Sequence, residues 1–240
     1  MPDERLDILY HDDHLVAVHK PAGLLVHRSP IDRHETRFAL QLVRNQIGCR
    51  VYPMHRLDKP TSGVLLFALH SEAAKQLTAL FESRQVRKTY LAVVRGIPTE
   101  QEEIDYPLYE EEDRLAPLDP EREAQSAVTL YRRLAEVELP IPVGRYATSR
   151  YALLEIQPQT GRRRQIRRHM KHIFHPIIGD TTYGDGRHNR MFRDHLGCHR
   201  LLLAATRLEF THPVSGEPLQ INAAPEESFA QVIRQLGWNL

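Results

Sequence analysis

The stretch that decides the fold is His55-Arg56-Leu57-Asp58-Lys59-Pro60-Thr61-Ser62-Gly63-Val64-Leu65-Leu66-Phe67-Ala68-Leu69-His70-Ser71. It reads as a polar loop, a Thr-Ser-Gly turn, an apolar strand and a helix entry. The run Val64 to Leu69 is the longest uninterrupted apolar run in the chain. Six residues fit a strand and fall far short of the ~20 needed to cross a bilayer as a helix. Ser71 is the expected N-cap of a helix whose inner face is Ala73, Leu77, Leu80 and Phe81, spaced at the helical period.

Outward from this core the pattern repeats without a regular strand–helix alternation. Short β-type runs are expected at 15–18, 88–94, 127–131, 151–156 and 201–210, several ending at Gly or Pro. A basic helix with Ile166, Met170 and Ile173 inward is expected after Gly161. A terminal amphipathic helix through Phe229, Val232, Ile233 and Leu236 is expected after Pro225. Irregular spacing with hairpin-like neighbours argues against βαβ winding. The expected class is α+β, a mixed, largely antiparallel sheet flanked by helices.

The chain has 240 residues, 41% of them apolar and 26% charged, which excludes disordered, collagenous and coiled-coil classes. The N-terminus lacks the layout of a signal peptide, so a soluble cytoplasmic protein is expected. Two cysteines, Cys49 and Cys198, are too few for a disulfide scaffold or a zinc site of their own. The net charge of +1 conceals an asymmetry: residues 100–123 hold 11 acids and 2 bases. The other residues therefore carry +10, and six Lys/Arg fall between Gly161 and Lys171. That distribution suggests a polyanionic partner, with 100–123 as an acidic surface insertion held away from it.

Asp58 sits one residue before Lys59 and three before the Thr-Ser-Gly turn. Turn hydroxyls and backbone N–H groups can hold such a carboxylate rigidly, and nearby arginines can keep it ionised. An oriented, ionised carboxylate suits nucleophilic or glycosidic chemistry and equally suits a structural ion pair. The three-residue repeat His169, His172, His175 lies in a basic segment without metal spacing, and no phosphate loop or dinucleotide fingerprint occurs.

The segment His55 to Gly63 resembles the HRLDxxTSG signature of the RluA-type pseudouridine synthases. Four more blocks follow the same family in order: Lys20-Pro21-Ala22-Gly23; Lys88 to Gly96; Thr160 to Arg167 (TGRRRQIR); and Pro176 to Asp180 with Tyr183-Gly184. Arg164 and Ala204 stand where the family usually has histidines. Within the family, the chain is similar to the branch that acts on uridine 65 of tRNA. That likeness rests on 25–29 with Asp32-Arg33, the proline of Asp58-Lys59-Pro60, Asp105 to Leu108, and Gly144-Arg145-Tyr146 leading to Arg150-Tyr151.

The resemblance implies the pseudouridine synthase fold with an active-site cleft across the sheet. It implies a single catalytic domain over 1–240, without the S4 domain of some relatives. It implies Asp58 as the nucleophile, acting by attack at C1′, attack at C6 or assistance of elimination to a glycal. Tyr90 is implied beside a flipped-out uracil and Arg167 as the ion-pair partner of Asp58. Lys20, His55, Arg56, Thr61, Arg162, Arg163, Arg164, Arg168 and Lys171 are expected to contact substrate RNA, the last five through phosphates and Arg56 by filling the gap left by the flipped base. A redox-neutral isomerisation implies no cofactor and no metal. The expected partner is tRNA, with no membrane, and the protein is taken to act as a monomer. The alternatives are the same chemistry on 23S rRNA, or a catalytically inactive RNA-binding module.

Overall fold

Two features of the chain set its layout: strands buried on both faces, and residues distant in sequence that pair beside the Asp58 loop. A computed structural model describes residues 5–28, 34–110 and 123–239. Within them the chain forms β1 (Ile8–His11), β2 (Leu15–Lys20), α1 (Ala39–Ile47), β3 (Tyr52–Pro53), β4 (Ser62–Ala68), α2 (Ser71–Glu82) and β5 (Arg87–Arg95). Then come β6 (Gln101–Asp105), β7 (Val128–Leu139), β8 (Ser149–Pro158), α3 (Gln165–His172), α4 (Gly186–Leu196), β9 (Leu203–Thr211), β10 (Pro218–Asn222) and α5 (Glu227–Gln235). The expected α+β class and largely antiparallel pairing are what form.

The chain divides into two compact units, one of Met1–Thr89 with Ala204–Glu226, the other of Tyr90–Leu203 with Glu227–Leu240. In the first, β1 pairs with β2, β2 and β3 with β4, and β10 with β9, all antiparallel. Every residue of β4 is buried, which accounts for its continuous apolar run. Leu15, Ala17, Val64, Leu66, Ala73, Leu77, Leu208 and Phe210 belong to one core cluster between this sheet and α2. A parallel pairing joins β4 to β9 through Ser62 with Ala204 and Gly63 with Ala205. Gly63 has φ +115°, and a Cβ there would lie 2.0 Å from the Ala205 carbonyl oxygen, so only glycine fits.

The second unit is an antiparallel meander of long strands: β5 on β8, β8 on β7, β7 on β6. Tyr151 of β8 is wholly buried, meets Phe192 of α4 edge-on at 4.8 Å and shares a 2.8 Å hydrogen bond between its hydroxyl and His188 Nδ1. β6 occupies the start of the acidic segment 100–123 with only Ile104 buried; residues 111–122 lie outside the described residues, as do Ser29, Asp32 and Arg33.

The expected N-cap of α2 is corrected by one residue. His70 takes that place in extended conformation, and its Nδ1 accepts the Ala73 N–H at 3.2 Å. Among the described residues no helix is long and apolar enough to cross a membrane, and no group of three or more His, Cys, Asp or Glu could hold a metal ion.

Candidate active site

Asp58 lies half-buried in the loop that enters β4, and that loop is held by its backbone. The Thr61 N–H closes a turn onto the Asp58 carbonyl at 3.0 Å. The next carbonyl, of Lys59, accepts two donors from the Lys20–Gly23 block: Gly23 N–H at 2.8 Å and Lys20 Nζ at 3.2 Å. Lys20 Nζ also donates to the carbonyls of Pro21 and Leu24, at 2.9 and 2.7 Å. Lys20 pairs across from Gly63, so the end of β2 and the start of β4 clasp the loop that carries Asp58.

Lys20, expected among the RNA-contacting residues, is therefore placed differently. It is completely buried, and its ammonium is spent on backbone carbonyls inside the loop. Thr61, at 2% exposure, is likewise inside. His55 also serves the loop: its ring stacks on Phe81 at 5.6 Å, and its Nε2 accepts the Leu66 N–H at 3.1 Å. Accepting that bond requires the neutral ring. Burial, reinforced by the Lys88 ammonium, pushes its pKa down to about 3. Arg56 is the exposed cation of the loop, and it adds to the burial that lowers the His27 pKa.

In the second unit the TGRRRQIR block is built around Gln165. Its Oε1 accepts the Thr160 hydroxyl at 2.7 Å and the Arg162 N–H at 3.0 Å. Its Nε2 donates to the Val128 carbonyl and to Thr129 Oγ1, both at 2.9 Å. Arg164, at φ +54°, is the left-handed residue through which the chain turns into α3. Buried Gln165 thus fixes the helix entry, with Arg162, Arg163, Arg164 and Arg168 half-buried around it.

Arg167 differs from its neighbours in being 5% exposed. Its Nε and Nη2 grip the two oxygens of Asp180 at 2.7 and 2.9 Å, a bidentate pair with both side chains buried. Asp180 Oδ1 also accepts the N–H groups of Thr182 and Tyr183, and Asn189 Nδ2 donates to its carbonyl at 2.8 Å. The Tyr183 ring lies under both Arg167 and Lys171, at 5.2 and 5.7 Å. Asp180, Tyr183 and Asn189 carry no individual role in the sequence reading. The signal for the first two was their place in the Pro176–Gly184 block; Asn189 had none.

Tyr90 opens the second unit on β5, 9% exposed and paired with Ile156 of β8. Arg162, Arg163 and Arg168 line a pocket of about 180 Å³ together with Tyr109, Glu110 and Gln125. Arg162 Nε donates to the Ser126 carbonyl at 3.0 Å and Arg168 Nη1 to that of Tyr109 at 2.9 Å, which steadies both guanidinium groups at its edge. Lys171 is exposed on the last turn of α3. His169, His172 and His175 do not converge: His169 Nε2 meets the Tyr106 carbonyl at 3.0 Å, His172 stacks on Tyr106, and His175 Nδ1 meets the Arg95 carbonyl at 2.9 Å. Asp58, Lys20, His55, Arg56 and Thr61 thus belong to the first unit, and Tyr90 with the basic helix to the second.

The chain is similar to known proteins along nearly its whole length. A protein of Vibrio cholerae named tRNA pseudouridine synthase C is 54% identical over 235 residues, covering 97% of this chain and 96% of that one. Its namesake from Haemophilus ducreyi is 52% identical over 235 residues, covering 98% and 97%. Among solved structures, Human RNA Pseudouridylate Synthase Domain Containing 4 superposes with a TM-score of 0.73 at 26% identity, covering 98% of this chain and 94% of that one. Residues 14–172, which contain Asp58, Tyr90 and Arg167, match the family described as RNA pseudouridylate synthase. The chain belongs to the RNA pseudouridylate synthase family and is an isomerase of that kind.

Proposed function

We propose that the protein isomerises uridine to pseudouridine in tRNA, at position 65, acting in the cytoplasm as a single catalytic domain and a monomer, without cofactor or metal. The observation that carries the reading is identity above one half, along nearly the whole chain, with relatives named tRNA pseudouridine synthase C. In the proposed reaction the C1′–N1 bond of the nucleotide breaks, the uracil turns in place, and C5 bonds to C1′. The C5 proton then leaves and N1 gains one, so atoms and charge balance.

Asp58 is the reacting group in this proposal, by attack at C1′ or C6 or by assisting elimination. The clasp of Lys20 and Gly23 on Lys59 supports it, because a reacting carboxylate must keep its orientation through bond breaking. Arg167 is proposed as its ion-pair partner, a task that suits a guanidinium already fixed by Asp180. Tyr90 offers a ring to the flipped base, which offsets part of the cost of unstacking. The guanidiniums of Arg162, Arg163, Arg164 and Arg168, with Lys171, take phosphates, and Arg56 fills the gap left by the flipped base.

The test is mapping of pseudouridine by carbodiimide labelling and primer extension on tRNA and ribosomal RNA incubated with purified protein. A single new stop at uridine 65 of tRNA is expected. Asp58→Asn should give none while retaining fold and tRNA affinity. Modification confined to ribosomal RNA, or product formed by Asp58→Asn with deamidation excluded, would overturn the proposal.

A further inference from the structure

Gly144-Arg145-Tyr146 and Arg150 stand out in the sequence but take no part in the site described above. They form the tip of the β7–β8 hairpin. Two backbone hydrogen bonds close the turn, Val143 N–H to the Tyr146 carbonyl at 3.2 Å and the reverse at 3.4 Å. Gly144 in the left-handed region (φ +64°) makes the turn tight. The closed turn presents the Tyr146 ring to solvent at 61% exposure.

One guanidinium lies on that ring and a second packs on the turn that carries it. Arg145 Nη2 donates to the Tyr146 hydroxyl at 2.9 Å, with its Cζ 5.1 Å from the ring centroid. Arg187, on the first turn of α4, packs on the hairpin so closely that a Cβ on Gly144 would lie 3.0 Å from its Nη1. Arg145, through its hydrogen bond and its charge, lowers the Tyr146 phenol pKa. The nearby carboxylates are engaged. Asp185 caps α4 through the Arg187 N–H, binds Arg95 at 2.9 Å and meets Arg187 Nη2 at 3.6 Å. Glu138 accepts the Thr148 hydroxyl at 2.6 Å.

We infer that Tyr146, with Arg145 and Arg187, is a second RNA-contact surface that stacks an unpaired base on the tyrosine ring and takes the flanking phosphates on the guanidiniums. An exposed ring with guanidiniums on it and on its turn matches the two faces that single-stranded RNA presents, a π-surface and an anionic backbone. A protein partner fits less well. Among the described residues of the hairpin tip, Tyr146 is the single exposed large hydrophobic side chain, so there is no apolar patch to bury. The inference rests on the proposed action on tRNA and names a contact beyond the target uridine.

The test uses full-length protein and measures affinity for tRNA and for heparin, a polyanion without bases, beside pseudouridine formation. Tyr146→Ala should weaken tRNA binding roughly five- to fiftyfold and leave heparin binding within twofold, because only RNA has bases to stack. Tyr146→Phe keeps the ring and should restore most of the tRNA affinity. Arg187→Gln should weaken both polyanions and flatten the slope of log affinity against log salt by about one or less. The loss should appear in the RNA concentration needed for half-saturation, with the single-turnover rate at saturating tRNA preserved. Unchanged tRNA affinity in Tyr146→Ala, or equal losses toward tRNA and heparin, would overturn the stacking surface. Absence of pseudouridine with the wild-type protein would instead overturn the proposed function, and the binding measurements would still decide this inference.

Discussion

Asp180 decides how Arg167 is held, and its removal separates positioning from chemistry. Asp180→Ala would leave a buried guanidinium without its bidentate partner, at a cost of about 3–5 kcal/mol. Urea denaturation should show that loss. Asp180→Asn, which keeps the shape and part of the hydrogen bonding, should fold and bind tRNA while pseudouridine formation falls at least tenfold. Full activity in a folded Asp180→Asn would show that Arg167 needs no such anchor. His55 gives a pH prediction of definite sign. The folded-state ring titrates near 3, against an ordinary value of 6.5. Between those values the unfolded chain binds the extra proton. Its contribution to stability is therefore complete above pH 6.5 and drains away as pH falls toward 3. Denaturation midpoints taken across that range should fall less steeply for His55→Gln, whose amide oxygen can still accept the Leu66 N–H. At this scale the sequence offered Asp58, Tyr90 and Arg167 directly as candidates through their motifs. It could not reveal that Lys20 faces inward, because burial of a lysine depends on carbonyls from three separate positions converging on it.

Among the elements, those with strong periodicity were legible and those held by contacts elsewhere were not. β4 and α2 read plainly from their apolar runs, and α3 and α5 from a helical stripe within polar surroundings. α1 was missed because its inner face is only Ala39 and Val43 and its N-cap Phe38 makes no side-chain cap. α4 was missed because its sequence is mostly polar, although Asp185 before it and Gly197 after it, at φ +62°, bracket it as caps. The shift of the α2 cap from Ser71 to His70 has a simple cause: a search for Ser, Thr, Asp or Asn overlooks an imidazole whose Nδ1 reaches the same N–H. Glycines test the element level well. Gly63→Ala must push β4 away from the Ala205 backbone and should destabilise by about 3 kcal/mol or more. Gly186→Ala, at the first position of α4 with open space around it, should instead stabilise by up to about 1 kcal/mol. Thermal melting of the two variants checks both signs together.

Over the whole molecule, the charge asymmetry was legible from counting alone, since it needs no knowledge of the fold. It predicts tRNA affinity that falls steeply with salt as phosphates shed counterions. Arg163→Gln or Arg168→Gln should flatten that slope by roughly one unit or less, equally for target and non-target RNA. Arg167→Gln should barely move it, because that charge is buried and held by Asp180; titrations at several salt concentrations distinguish the two classes. The pairing of β4 with β9 was not legible, since its partners are more than a hundred residues apart in sequence and their periodicity is no different from that of neighbouring strands. That pairing sets the order of events during synthesis. Ser62 and Gly63 leave the ribosome long before Ala204 and Ala205, so the strand behind Asp58 waits for its parallel neighbour while the intervening chain is made. A contact of such long sequence separation carries a large loop-closure cost and forms late in folding. A nascent chain halted at residue 203 would hold every catalytic candidate and still lack the partners that seat Gly63, so competence should arrive only after Ala204 and Ala205 have been made.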